Sequence, residues 1–448
     1  QAELKRRLRG TRSITWESCD HGIIYPDWQH QDGTALALKY AGCDLAAFFE
    51  GHRALMQAKT TEQMQQALSL INEGPFDFNV VYGHRDGDIA WQQVGRLPAR
   101  QTNGLFVRDA HSPGASWQGY LPFSENPGSM NPEDGLVVTA NSVTCEIRFS
   151  KLSTPVHCEV TYRQERIRKL ILAGQRHTRE SMAAIQADVQ ADFALPLRDA
   201  LVRHLRADQQ QESQFRSACL ALASWDCSFA TDRIGATIFY FTRIQLAREI
   251  FGAILGKGSA RRFVHGQRAW PRVDRLLRNP DDPILDWLAA NRDKSFADFV
   301  RTAFERALQI IARSLGEDVS QWQWGRMHRV KIASLAGEVP GVGKPWVALE
   351  RPWPGETNTV SPTVAVSVGK TLRSAVGASS RFICDLSRPR EAWFAHSSGP
   401  TCEPGSPFMH RLSEQWAEFR YFKSGLWAVH EIEKPVEHVV LDPDMNPD

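Results

Sequence analysis

The sequence predicts an α+β fold, and three runs of pattern predict it. β-favouring stretches punctuated by turn residues fill positions 11–42 and 78–140. Helix-compatible apolar spacing then runs from 162 to 316. Strand-like runs return after about 358.

In chain order, Ile14-Thr15-Trp16-Glu17-Ser18 and Thr34 to Tyr40 read as short strands around a turn at Asp20-His21-Gly22. Two helices follow, 44–58 and 60–71. Thr60 and Gln63 make a capping-box pattern at the start of the second, and Asn72-Glu73-Gly74-Pro75 ends it. Asn79 to Tyr82 and Ile89 to Val94, on either side of Asp86-Gly87, read as a hairpin. Residues 100–134 form a long loop rich in Gly, Pro, Ser and Asn, the kind that is functional or packed on itself. Gly135 then opens a buried strand, Leu136 to Ala140, which ends at Asn141-Ser142. A side-chain amide there can donate to a developing oxyanion. It can equally satisfy its own turn.

Helical spacing marks 163–172, 179–189, 195–205, 215–223, 231–251, 284–290 and 296–315, the sixth opening just after Pro283. Strands are expected at 363–368, 381–386 and 391–395, and a frayed tail at 443–448.

The 448 residues are 42% hydrophobic, enough for a large core in one to three domains. Basic and acidic residues nearly balance, 53 against 51, with no clustered basic face, so no nucleic-acid partner is expected. No apolar run reaches the ~20 residues that span a bilayer, so no membrane partner is expected either. The longest, Ile234 to Leu255, is broken by Arg243, Arg248 and Glu249. The first residue is Gln1 rather than Met, so the chain reads as a piece of a longer product. Eight cysteines include no C-x-x-C. Cys145/Cys158 and Cys384/Cys402 are spaced for local disulfides, with free thiols the alternative.

Five motifs stand in order between residues 79 and 142. They are Asn79-Val80-Val81-Tyr82-Gly83-His84-Arg85-Asp86-Gly87-Asp88-Ile89, Gly95-Arg96-Leu97-Pro98-Ala99-Arg100, Trp117-Gln118-Gly119-Tyr120-Leu121-Pro122-Phe123, Asn131-Pro132 and Thr139-Ala140-Asn141-Ser142. The series resembles the β-chain of the penicillin acylase family, a branch of the N-terminal-nucleophile hydrolases. Gly83-His84 stands where the family has Ala-Asp, and Ser142 where it has a second Asn. The resemblance continues more thinly to about residue 425. It passes through Trp225-Asp226, where Cys227 replaces a family Gly, and through Gly377-Ala378-Ser379-Ser380-Arg381. It implies one domain over 1–448 with the four-layer αββα sandwich of that family. Residues 1–160 and 321–442 would supply sheet layers with shared sheets, and about 161–320 a helical insertion.

The resemblance also implies chemistry. Family members hydrolyse a linear amide with a Ser exposed at the β-chain N-terminus, whose own α-amine is the base. Backbone N–H and one Asn side chain hold the oxyanion. The implied function is an amidohydrolase acting on an N-acylated small molecule, a β-lactam antibiotic side chain or an acyl-homoserine lactone. Asn141 matches the oxyanion Asn. Arg163 matches the Arg beside the nucleophile, its plainer role being a solvated Arg at a helix start. Phe78 falls at an apolar pocket position, where it is equally ordinary core, and His52 falls near a pocket position that is often aromatic. His21 reads as part of a turn. Motif register places Gln1 past the family nucleophile, so the upstream segment and α-chain of the same precursor are expected partners. The 448 residues alone are then expected to be inactive. Ser129, in Gly128-Ser129-Met130, resembles a processing junction only superficially. Family calcium ligands would lie upstream, and Leu152-Ser153 offers no acid, so no metal and no other cofactor is expected. Periplasmic or secreted location follows from the family. The competing reading is a non-catalytic binding protein that kept the fold and lost the nucleophile.

Overall fold

The computed structural model describes residues 2–6, 10–14, 16–29, 33–42, 44–101, 107–142, 160–174, 176–205, 213–265 and 269–425. The chain divides into two units, Gln1–Thr161 and Tyr162–Asp448.

In the first unit, β1 (Ala2–Arg6) pairs antiparallel with β2 (Gly10–Ile14). A second antiparallel sheet holds β3 (Ser18–Cys19), β4 (Gly22–Gln29) and β5 (Ala35–Leu38). Helix α1 (Leu45–Gln57) is capped by Asp44, whose side chain accepts from the Ala47 N–H at 3.0 Å. Helix α2 (Thr61–Ile71) is capped by Thr60, which accepts from the Gln63 N–H at 3.2 Å. The Gln63 side chain answers one residue further out than a capping box requires, accepting from the Lys59 N–H at 2.7 Å. The two helices cross at Gly51, where an added Cβ would lie 2.7 Å from the Ile71 nitrogen. The expected hairpin forms: β6 (Phe78–Gly83) pairs residue for residue with β7 (Ile89–Val94), from Phe78↔Val94 to Gly83↔Ile89. Gly87 turns it at φ 113°. A short edge strand, β8 (Gly128–Met130), completes this sheet. Leu68, Ile71 and Val94 form the core beneath it, with Phe48, Val80 and Phe123 packed alongside.

One expected strand is absent. Leu136 to Ala140 carry strand-type residues but take no regular ladder. β-propensity measures fit to a pleated, paired surface rather than an intrinsic backbone preference, so composition alone does not make a strand.

The second unit opens with helices: α3 (Tyr162–Leu172), α4 (Arg179–Gln186), α5 (Ala194–Leu205), α6 (Ser213–Ala223), α7 (Ile234–Leu255), α8 (Lys257–His265), α9 (Trp270–Arg278), α10 (Pro283–Arg292), α11 (Phe296–Leu315) and the short α12 (Trp324–Met327). Helix α7 is buried for most of its length and anchors the largest core, against α6, α8, α9 and α11. Its Gly235 sits against Trp225, where a Cβ would come within 2.2 Å of the Trp225 Cβ. Cys227, at the family Gly position, is buried and held at φ 61°, a conformation glycine adopts freely. Sequence reading missed α8 and α9, although Trp270, Val273, Leu276 and Leu277 have helical spacing and all are buried.

Strands return as β9 (His328–Ala333), β10 (Val347–Pro352), β11 (Thr363–Val368), β12 (Thr371–Gly377), β13 (Ser380–Cys384) and β14 (Glu391–His396). Helix α13 (Pro407–Ala417), capped by Ser406 with proline at its first position, and β15 (Phe422–Gly425) close the described chain. One sheet has the order β10-β9-β12-β11, with β12 parallel to β9, and the other the order β13-β14-β15. Every described sheet is made within one unit. Within each unit, pairing among the described residues runs chiefly between sequence neighbours, which close short loops cheaply.

Cys384 and Cys402 are both free thiols, which corrects the local pairing expected from their spacing. A disulfide needs a close Cα separation, which sequence spacing does not set. Cys145 and Cys158 lie outside the described residues.

Candidate active site

The motif loops of the first unit hold one another. Ala99 N–H donates to Gly119 O, Gln118 N–H to Ala99 O, and Leu121 N–H to Leu97 O, all near 3 Å. Segment 95–100 thus lies along segment 117–123. The Arg96 guanidinium sits 3.7 Å from the Tyr120 ring centre and Arg100 5.1 Å from Trp117. Beneath them, the buried Asn72 accepts from the Gly95 N–H at 2.9 Å and from Asn126 Nδ2 at 2.8 Å. Asn131 closes the hairpin. Its Oδ1 accepts from the Ile89 N–H and its Nδ2 donates to Asp88, each at 2.9 Å. Asp88 also accepts from Thr61 at 2.7 Å, and these hydrogen bonds hold its carboxyl below the usual range. Ser129 occupies β8 opposite Trp91, a ladder position.

Asn141 follows the extended segment at φ 61°. Asparagine is among the few side chains that take this left-handed region readily. Its neighbours Ala140 and Ser142 are buried while Asn141 is exposed. The backbone is therefore pinned on both sides, and the amide, with two N–H donors, stays accessible. The turn role and the donor role foreseen for this residue are compatible with one geometry.

His52 and Phe78, the two expected pocket residues, meet through a third side chain. The Phe48 ring centre lies 4.3 Å from His52 and 6.4 Å from Phe78, the latter stacked at 20°. Phe76 joins at 5.5 Å from Phe48 and 6.2 Å from Phe78. Phe48 is seated over Gly74, where a Cβ would come within 2.4 Å of its ring. His52 Nδ1 is 2.8 Å from the Phe48 carbonyl, so its N–H donates there and Nε2 is left to accept. Phe76 is 55% exposed and Phe78 38%. Phe48 and Phe76 were not singled out from sequence. Their signal was the i, i+4 spacing of Phe48 and His52 and the alternation of Phe76 and Phe78.

Arg163 belongs to the second unit, as the second residue of α3, and is half-buried. The helix start beside it is firmly anchored. Tyr162 stacks on Phe193 at 4.4 Å and donates to Asp274 at 3.1 Å. Arg166 forks onto Asp188 and reaches Asp192. Asp274 in turn holds Arg243, both fully buried at 1% and 3% side-chain exposure. Burial and the Asp274 charge push the Tyr162 hydroxyl well above its ordinary value. Among the described residues no group of His, Cys, Asp and Glu is placed to hold a metal ion. No described helix is long and apolar enough to cross a membrane.

The model of the penicillin amidase family matches residues 3–428. The chain belongs to that family. Among its relatives are an acyl-homoserine lactone acylase, QuiP, of Pseudomonas aeruginosa and a penicillin acylase 2 proenzyme of Pseudomonas sp. strain SE83. The first is 27% identical over 87% of this chain and 49% of its own length. The second is 26% identical over 86% of this chain and 49% of its own. The chain thus spans about half the length of the curated relatives it matches. A thermostable penicillin G acylase from Alcaligenes faecalis superposes with a TM-score of 0.67 at 13% identity, covering 99% of this chain and 81% of that one. The fold of this penicillin amidase family member is therefore the α+β fold of the N-terminal-nucleophile hydrolases.

Proposed function

We propose that the protein carrying this chain hydrolyses a linear amide whose acyl group is apolar, with an acyl-homoserine lactone the first substrate to try and an acylated β-lactam the second. The aromatic group of Phe48, Phe76 and Phe78 beside His52 carries this reading. Partly exposed rings gain about 25 cal/mol per Å² when an acyl chain covers them. Support comes also from relatives named for acylase activity on homoserine lactones and penicillin. In this reading a Ser uncovered by processing upstream attacks the carbonyl, with its α-amine as base. The Asn141 amide then donates to the oxygen as negative charge develops on it. His52 Nε2 offers one polar acceptor at the edge of an otherwise apolar surface.

The test uses the full precursor with its upstream segment, and reads free homoserine lactone from N-acyl substrates of increasing chain length. Each buried methylene is worth ~0.8 kcal/mol, so kcat/KM should rise roughly fourfold per carbon until the patch is covered. Phe78→Ala should flatten that dependence. A folded, processed precursor that releases no acid from any acylated amide would overturn the proposal.

A further inference from the structure

Arg381, from the Gly377-Ala378-Ser379-Ser380-Arg381 motif, has no part in the chemistry above. It lies on β13 and is 4% exposed. Its Nη1 donates to the Trp416 carbonyl at 2.7 Å, and its guanidinium lies 4.0 Å from the Phe419 ring and 4.9 Å from Trp416. Among the described residues its Nε has no hydrogen-bond partner, and it forms no ion pair with a carboxylate. Buried cations are ordinarily paired, because taking a guanidinium out of water costs several kcal/mol. Here burial depresses the guanidinium to about 10.

Arg381 lines a cavity of about 150 Å³ within the second unit. Ser361, Ser374, Ser379 and Ser397 also line it, the Ser374 hydroxyl already hydrogen-bonded to Thr363, and Lys331 adds a second cation. Lys331 donates to Gly337 O at 2.9 Å and lies 3.5 Å from Glu338, so it is already occupied. No Asp or Glu lines the cavity. Trp353 and Trp416, stacked at 4.5 Å, supply an apolar wall. At about 150 Å³ the space suits a ligand of a few heavy atoms.

We infer that this cavity binds a small carboxylate or inorganic oxyanion, with Arg381 as its counter-cation and the serine hydroxyls as further donors. With Nη1 already donating to the Trp416 carbonyl, such a group would meet the remaining guanidinium N–H groups and the charge they carry. The inference is independent of the amidase reading, since every residue it uses lies between 330 and 419.

Isothermal titration of the full precursor with acetate, phosphate and sulfate, at fixed pH and ionic strength, tests it. Saturable binding in the millimolar range or tighter is expected for at least one of them. Arg381→Met should weaken that binding about 10–100-fold, as loss of a charged donor does. Should that variant not fold, Ala378→Val keeps the cation, narrows the cavity and is expected to weaken binding as well. Two results overturn the inference: heat no greater than dilution for all three anions in the wild-type precursor, or binding unchanged in whichever folded variant is measured.

Discussion

The motif loops of the first unit and the helical core of the second are held by different forces. Around Asn72, Asn126 and Asn131, side-chain amides satisfy backbone groups that regular structure leaves open. Each such residue is fixed by hydrogen-bond geometry and has few substitutes. Around α7 the chain is held by buried volume, which many apolar residues can fill. A charged exception there is Arg243 with Asp274, both buried and joined by Tyr162. The difference teaches where a family leaves a readable mark. A hydrogen-bonded loop constrains residue type, whereas a packed core constrains chiefly size and apolarity.

The largest effect should come from breaking that buried ion pair. Asp274→Ala leaves Arg243 buried without its hydrogen-bonded carboxylate partner and should cost ~3–5 kcal/mol, read as a lower midpoint in urea. Replacing both, as Arg243→Met with Asp274→Leu, should recover most of that loss. A double variant as unstable as the single one would show that the pair contributes more than mutual neutralisation.

On the loop side, Asn72→Ala removes one acceptor and strands the Gly95 N–H and Asn126 Nδ2. About 2–3 kcal/mol should be lost. Hydrogen exchange at residues 93–97 and 117–121 should accelerate, while exchange in α7 should not change. Equal acceleration in both places would erase the contrast between loop and core.

These differences explain what could be read in advance. Asp86-Gly87, Thr60 and the five motifs are local signals, and each corresponds to a turn, a cap or a hydrogen-bonded loop. Arg243 was visible only as a charge interrupting an apolar run. That Asp274, thirty-one residues on, would neutralise it is a tertiary fact. The same holds for Phe48 and Phe76, which look like ordinary core until the fold sets them beside His52 and Phe78. Leu136 to Ala140 failed in the opposite direction, since strand-type residues took no ladder.

A further effect is a dependence on pH. Burial pushes the Glu356 carboxyl from its ordinary 4.5 up to about 7, against the lowering influence of Arg243. The folded state thus holds its proton more tightly than the unfolded chain. The resulting stability is fully present below about 4.5 and is lost as pH rises through about 7. His328 runs the other way. Burial depresses it to about 4, so its contribution is present above 6.5 and is lost as pH falls through about 4. Glu356→Gln should therefore raise Tm at pH 8, where the wild-type group must ionise, and change it little at pH 4.5. A Tm gain equal at both values would remove titration of Glu356 as the cause.

Central to the account is that Asn141 acts through its amide, on a backbone conformation that glycine can also adopt. Asn141→Gly keeps φ near 61° without strain and removes the donor. Asn141→Ala removes the donor and adds a conformational cost of ~1–2 kcal/mol. The decisive measurement is kcat of processed Asn141→Gly precursor on its best acyl substrate, with a thermal melt beside it. The account predicts a melt like the wild type, KM nearly unchanged and kcat lower by about 10²–10³-fold. Wild-type kcat in a folded Asn141→Gly protein would contradict it, and Asn141 would then be a turn residue only.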